Sequence, residues 1–219
     1  LFVAPESQAR GIGRGLIDHM LPSPSETTIT NRALITNSYN RSSTGLYLSM
    51  GLYPREPLYI LAGNAADVRG AMKTASVAEP LTLVTNAQEL ASLQSLDKSV
   101  MGVERELHHR FLRGELGAEC FLLRNGGTIE GYAYVWPNGQ VGPLAAASSK
   151  TFAPLLNSAI ALAGEAGADQ VSMLVAGSNE AAIQLALQTG MRISVPMVLM
   201  SQRGFGDWSR YVFHSPWLA

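Results

Sequence analysis

The sequence predicts an α/β fold, a mixed central sheet flanked by helices. Three observations predict it. A short apolar stretch, Leu1-Phe2-Val3-Ala4-Pro5, leads into the glycine-studded turn Gln8-Ala9-Arg10-Gly11-Ile12-Gly13-Arg14-Gly15, which opens a helical pattern at Leu16, Ile17, Met20 and Leu21. A second strand-to-helix passage follows, with Ala33-Leu34-Ile35-Thr36 as the strand. Finally, residues 14–61 recur at 153–200 as helix, strand, helix, strand.

The first passage has the makings of an anion site. The first N–H groups of a helix have no intrahelical partner and carry the positive end of its dipole, and glycine lets a phosphate approach them. A dinucleotide-binding fingerprint would need a glycine where Leu16 stands, and a P-loop would need Gly-Lys-Ser/Thr. What remains is Gln-x-x-Gly-x-Gly. The second passage reads Asn40-Arg41-Ser42-Ser43-Thr44-Gly45-Leu46-Tyr47-Leu48-Ser49-Met50-Gly51-Leu52-Tyr53. Gly51 suits a helix end that needs a left-handed residue. Taken alone, Tyr47 reads as a half-buried aromatic on an amphipathic helix.

Taken together, the two passages resemble the GNAT superfamily of acetyl-CoA-dependent N-acetyltransferases. The first resembles its pyrophosphate loop. The second resembles its Asn-x-x-Ala-x-x-Leu-Tyr-x-x-x-Gly-Phe motif, with Ser43 for alanine and Leu52 for phenylalanine. The resemblance implies acetyl-CoA as co-substrate, gripped by Gln8 and by the backbone N–H groups of Ala9, Arg10, Gly11, Ile12, Gly13 and Arg14. Arg10 or Arg14 would add charge. The edge of a central strand at Phe2 and Val3 would bond the pantetheine arm, with the Val3 N–H near the thioester oxygen. Asn40 and Ser43 fall on the cofactor-contacting motif, and Tyr47 resembles the general acid. The glutamate that many members carry five residues before the motif asparagine is Ile35 here, so no general base is identified. The acceptor is expected to be a primary amine on a small molecule or peptide.

The repeat has an offset of 139 residues. Asn40 and Gly51 fall on Asn179 and Gly190, Leu16-Ile17 on Leu155-Leu156, Leu34-Ile35 on Met173-Leu174, and Pro57 on Pro196. At the loop, Gly11, Ile12 and Gly13 fall on Lys150, Thr151 and Phe152, and Tyr47 falls on Ala186. Bulky side chains block a pyrophosphate, and alanine has no proton to give. The expected organisation is therefore a partial first GNAT unit over residues 1–63, a linker over 64–80, and a complete but degenerate second unit over 81–202. A tail follows over 203–219. The first unit lacks its opening strands and helices and the chain starts at Leu1, which reads as an N-terminal truncation. A bare sheet edge of that kind favours pairing with a second chain or with the missing segment. A non-catalytic acyl-CoA-binding or scaffolding protein is the alternative reading.

The second unit is read in order. Leu81–Val84 is a strand; Ala87–Val100 and Val103–Leu112 are helices, the latter with Val103, Leu107 and Phe111 at helical spacing. Strands at Cys120–Leu123 and Ile129–Trp136 flank an Asn125-Gly126-Gly127 turn, a strong hairpin signal. Val141–Ala145 is the next strand, and Ser148 or Ser149 caps the helix after it. The aromatic tail from Phe205 to Trp217 is expected to pack back on the body.

Composition agrees with a cytoplasmic enzyme. The 219 residues are 47% hydrophobic and carry a net charge of −1, which points neither to nucleic acid nor to a membrane surface. The single cysteine, Cys120, reads as a buried strand thiol. The four histidines lack metal-ligand spacing: His108 and His109 are adjacent and point apart, and His19 and His214 stand alone.

Overall fold

A computed structural model describes residues 3–20, 31–74 and 79–216. Phe2, Trp217 and residues 75–78 of the expected linker lie outside them. The elements in order are α1 (Ile12–Met20), β1 (Ala33–Asn37), α2 (Arg41–Ser49), β2 (Tyr53–Asn64), α3 (Ala65–Thr74), β3 (Thr82–Leu83), α4 (Ala87–Ala91), α5 (Leu93–Met101) and α6 (Glu106–Gly114). There follow β4 (Glu119–Asn125), β5 (Thr128–Val135), β6 (Gln140–Ala146), α7 (Ser149–Glu165), β7 (Gln170–Ala176), α8 (Glu180–Gln188), β8 (Arg192–Ser201) and β9 (Tyr211–Phe213).

The nine strands among the described residues form one sheet, in the order β1-β8-β2-β7-β9-β6-β5-β4-β3. Every pairing is antiparallel except β6 with β7. Strand β8, from the end of the chain, lies between β1 and β2 from its beginning. The registers map onto one another when 139 is added or subtracted: Ala33 faces Ser201, and Ala62 faces Ser172. Leu58 faces Met197, its own counterpart, so an approximate two-fold axis passes through that pair. Helices α2 and α8 share the offset at both ends.

Side chains alternate across the sheet, as the period of two requires. Ala133, Val135, Leu144, Met173 and Val175 join α3 and α7 in one apolar cluster. Tyr132, Tyr134, Ala145, Leu174 and Ala176 join α4 and α5 in the other. The tail takes part, with Trp208, Tyr211 and Phe213 buried in the second cluster. Helices α1 and α2, by contrast, bury no residue.

Local signals placed most elements. Gly126 and Gly127 both have positive φ (53° and 87°), which the tight β4–β5 turn demands. Ser148 caps α7 in a reciprocal pair with Thr151. Three expectations change. Val3 belongs to no strand, and its carbonyl oxygen is taken by the Gln8 side chain at 2.9 Å. The helix read over 87–100 breaks at Ser92, whose hydroxyl donates back to the Glu89 carbonyl at 2.6 Å and competes with the helical ladder. The helix read from Val103 begins at Glu106, because Gly102 ends α5 in a left-handed conformation and residues 103–105 are needed to turn the corner.

Leu58 is fully buried on the two-fold axis. Leu58→Ala is expected to destabilise the protein by about 2–5 kcal/mol, read from the urea midpoint.

Candidate active site

The glycine turn is held by a short 3-10 helix, Pro5–Ser7. Ser7 N donates to Ala4 O at 2.9 Å and Gln8 N to Pro5 O at 3.2 Å, and the next backbone bond is Gly15 N to Gly11 O at 3.0 Å. Between them, the six N–H groups from Ala9 to Arg14 have no partner among the described residues. Left-handed backbone at Ala9 (φ 59°) and Gly11 (φ 78°) curls this run of donors into the start of α1. Such a run is an anion cradle.

Helix α2 lies against it. A Cβ at Gly13 would stand 3.7 Å from Leu46 Cδ2 and 3.8 Å from Val3 Cγ2. The Arg14 guanidinium donates to the Ser49 hydroxyl, which itself donates to Leu46 O at 2.6 Å. Arg14 is thus turned onto α2, while Arg10 is exposed. Asn40 caps α2 by accepting from Ser43 N at 3.1 Å, and its Nδ2 has no partner among the described residues. The Ser43 hydroxyl bonds Asn40 O and lies 3.3 Å from Thr36 Oγ1, so it ties α2 to β1. One turn further on, Tyr47 is half-buried, and its hydroxyl has no partner among the described residues. Burial raises its pKa, so the phenol holds its proton at neutral pH.

The corresponding place in the second half is closed. Strands β6 and β7 pair only at Gln140–Ser172 and Val141–Met173, then diverge. Strand β9 fills the wedge: Tyr211 and Val212 pair with β6, and Val212 and Phe213 with β7. Gly142, the counterpart of Val3, approaches β9 so closely that a Cβ would stand 2.3 Å from Phe213 O. Asn179 caps α8 as Asn40 caps α2, but its Nδ2 donates to Trp208 O (3.1 Å) and Tyr211 O (3.2 Å). Arg210 donates to Ala146 O and Ala147 O at 3.1 and 2.7 Å, in the loop ahead of α7. Phe152, the counterpart of Gly13, is buried in the core.

Residues 93–210 match the family model described as Acetyltransferase (GNAT) domain, more than half of the chain. The chain belongs to the GNAT family of acetyltransferases. Among curated proteins, none matches it. Similar folds occur in a candidate acetyltransferase from Pyrococcus horikoshii (TM-score 0.73, 18% identity, covering 99% of this chain and 69% of that one). A GCN5-related N-acetyltransferase from Sphaerobacter thermophilus gives TM-score 0.55 at 17% identity, with 95% and 73% covered. Another from Anabaena variabilis gives 0.58 at 17%, with 92% and 53% covered. At these identities the likeness is one of fold. The GNAT match falls on the half whose wedge the tail fills, whereas the glycine turn and Tyr47 lie before it.

That half also holds a buried polar network that the motifs did not reveal. Asp97 accepts from Arg105 Nε (3.1 Å), Arg105 Nη2 (3.3 Å) and Tyr132 OH (2.5 Å), and its Oδ2 lies 2.8 Å from His109 Nε2. His109 Nδ1 is 2.8 Å from Tyr134 OH. Burial pushes the Asp97 carboxyl up, but its bonds to His109 and Arg105 outweigh that and hold it below the usual range. The one sequence cue was its position: Asp97 stands on the buried stripe Leu93, Leu96, Val100 of α5. Cys120 lies buried in β4, its thiol pushed up to about 12 by burial, as befits an inert strand residue.

His214 does not stand alone. The tail's return stacks it on Trp136 (ring centroids 4.4 Å) and brings it 6.5 Å from His108. Burial, then the Arg105 charge, lowers both histidines to about 4. Among the described residues, no cluster of His, Cys, Asp and Glu could hold a metal, and no helix is long and apolar enough to cross a membrane.

Removing Asp97 would leave the buried Arg105 charge uncompensated, so Asp97→Ala is expected to cost about 3–5 kcal/mol in chemical denaturation. The two histidines set an acid limit. They are neutral when folded but take protons near pH 6.5 when unfolded, so their contribution is full above that pH. It is lost as the pH falls toward about 4, and urea midpoints at pH 7, 5.5 and 4.5 should drop in that order. The double variant His108→Gln/His214→Gln should flatten the decline.

Proposed function

We propose that the chain is an N-acetyltransferase that moves an acetyl group from acetyl-CoA to a primary amine, at a donor site in its first sixty residues. The observation that carries this reading is the run of six N–H groups from Ala9 to Arg14 without a partner among the described residues, set against α2 with Tyr47 on it. The residues fit the co-substrate: the donors suit a pyrophosphate, and the Asn40 Nδ2, which has no partner among the described residues, suits an amide carbonyl of the arm. The second half supports the assignment by contrast, since there the equivalent asparagine is bonded to β9. On this reading the chain holds two related units in tandem, a partial one over 1–63 with the donor site and a degenerate one over 81–202. They are joined through 64–80, and the tail closes the second.

Each group then has a task. The loop N–H groups and Arg10 neutralise the pyrophosphate, and Asn40 orients the arm. The neutral amine nitrogen attacks the thioester carbonyl; the C–N bond forms, the C–S bond breaks, and Tyr47 gives its proton to the departing sulfur. The surplus proton on the nitrogen passes to solvent, and solvent returns a proton to the Tyr47 phenolate. A phenol near pKa ~10 protonating a thiolate near ~8.5 is uphill by about 2 kcal/mol. Burial of Tyr47 adds to that, so the transfer belongs in a concerted step. General acid catalysis of this type is worth ~10²–10⁴ in rate.

Tyr47→Phe is therefore expected to lower kcat by ~10²–10⁴ while acetyl-CoA affinity stays as it was. Calorimetric titration should show one equivalent bound per chain, and Gly13→Trp, whose indole would cover the cradle, should bind none. Undiminished turnover in Tyr47→Phe removes Tyr47 from the mechanism; undiminished binding in Gly13→Trp moves the donor site elsewhere.

A further inference from the structure

Helix α6 and the residues flanking it carry a row of exposed apolar side chains. Arg105, His109 and Leu112 face inward and are buried, while Val103, Leu107, Phe111 and Leu116 are 52%, 79%, 40% and 42% exposed. The helix cannot roll to hide them, because Asp97 holds Arg105 and His109 from within. Next to the stripe, Arg113 of α6 donates to Val84 O just past β3, the edge strand of the sheet, where Leu83 is also exposed.

We propose that this stripe is the centre of a two-fold interface between two copies of the chain. The pattern is self-complementary. Set antiparallel about the middle of α6, Leu107 of one copy meets Phe111 of the other, and Val103 meets Leu116, each contact occurring twice, as an isologous interface requires. Charge selects the same arrangement. Glu106 and Arg110 flank the stripe and pair with each other, both well exposed. The antiparallel arrangement brings Glu106 of one copy within reach of Arg110 of the other and opposes the two helix dipoles, whereas a parallel one sets like against like. A stable interface buries about 800 Å² on each partner, with an apolar centre and a polar rim. The four apolar side chains form that centre, and Glu104, Glu106 and Arg110 form the rim.

Sedimentation velocity on the whole chain tests this. Dimer is expected at the highest soluble concentration, giving way to monomer on dilution. Leu107→Glu should be monomeric throughout, with the melting temperature the wild-type chain has at dilutions where it too is monomeric, since Leu107 contributes little to the folded monomer. Arg110→Glu alone should weaken the dimer at least several-fold, and Glu106→Arg/Arg110→Glu should restore it. A wild-type chain that stays monomeric, or a Leu107→Glu variant that still dimerises, overturns the proposal. A double charge variant as weak as the single one overturns the antiparallel arrangement.

Discussion

The insertion of β8 between β1 and β2 holds this molecule together. Helices α1 and α2 bury no residue, so they have little core of their own. They acquire a place in the protein because β1 pairs with β8 and β2 with both β8 and β7. Each pairing joins residues more than a hundred apart in sequence. The glycine turn and Tyr47 are thus carried on a part of the chain whose order depends on strands made last. Anything that loosens β8 should disturb the glycine turn and α2 before it disturbs the second half.

The approximate two-fold axis explains why one half can be open and the other shut. The same strand–helix plan appears twice, with an asparagine capping the equivalent helix each time. What differs is the occupant. In the second half, an extended stretch of the chain's own tail satisfies the diverging edges of β6 and β7 and the amide of Asn179, and its rings are anchored in the core. Edges of diverging strands demand hydrogen-bond partners. A tail that supplies them permanently is a structural strand and leaves the cleft no vacancy. In the first half the amide nitrogen of Asn40 has no such partner among the described residues, and the Val3 carbonyl is taken by the Gln8 side chain and not by a strand.

Legibility in the sequence follows the range of each interaction. The bounds of α2, the Ser148 cap and the β4–β5 turn were readable because the deciding residues lie within a few positions of one another. The glycine turn was readable for the same reason, although Val3, expected in a strand, spends its carbonyl on Gln8. Strand β9 was not readable: three residues gain their conformation from partners about seventy and forty residues away. The tail's return was expected from its aromatic rings, but its position in the sheet was not. His214 looked solitary because Trp136 and His108 reach it only in three dimensions.

Helix α6 shows how a buried charge can override hydrophobic periodicity. Val103, Leu107 and Phe111 have the spacing of a core-facing stripe, and apolar burial alone would turn them inward. Asp97 decides otherwise. A carboxylate placed on the inner side of α5 must be compensated where it lies, because an unpaired buried charge costs several kcal/mol. Arg105 and His109, four residues apart, supply the compensation together, and their positions fix the rotation of α6. The apolar stripe is left outward as a consequence. A stripe that the fold cannot hide, bordered by charges that complement their own mirror order, has in a second copy a partner of matching chemistry.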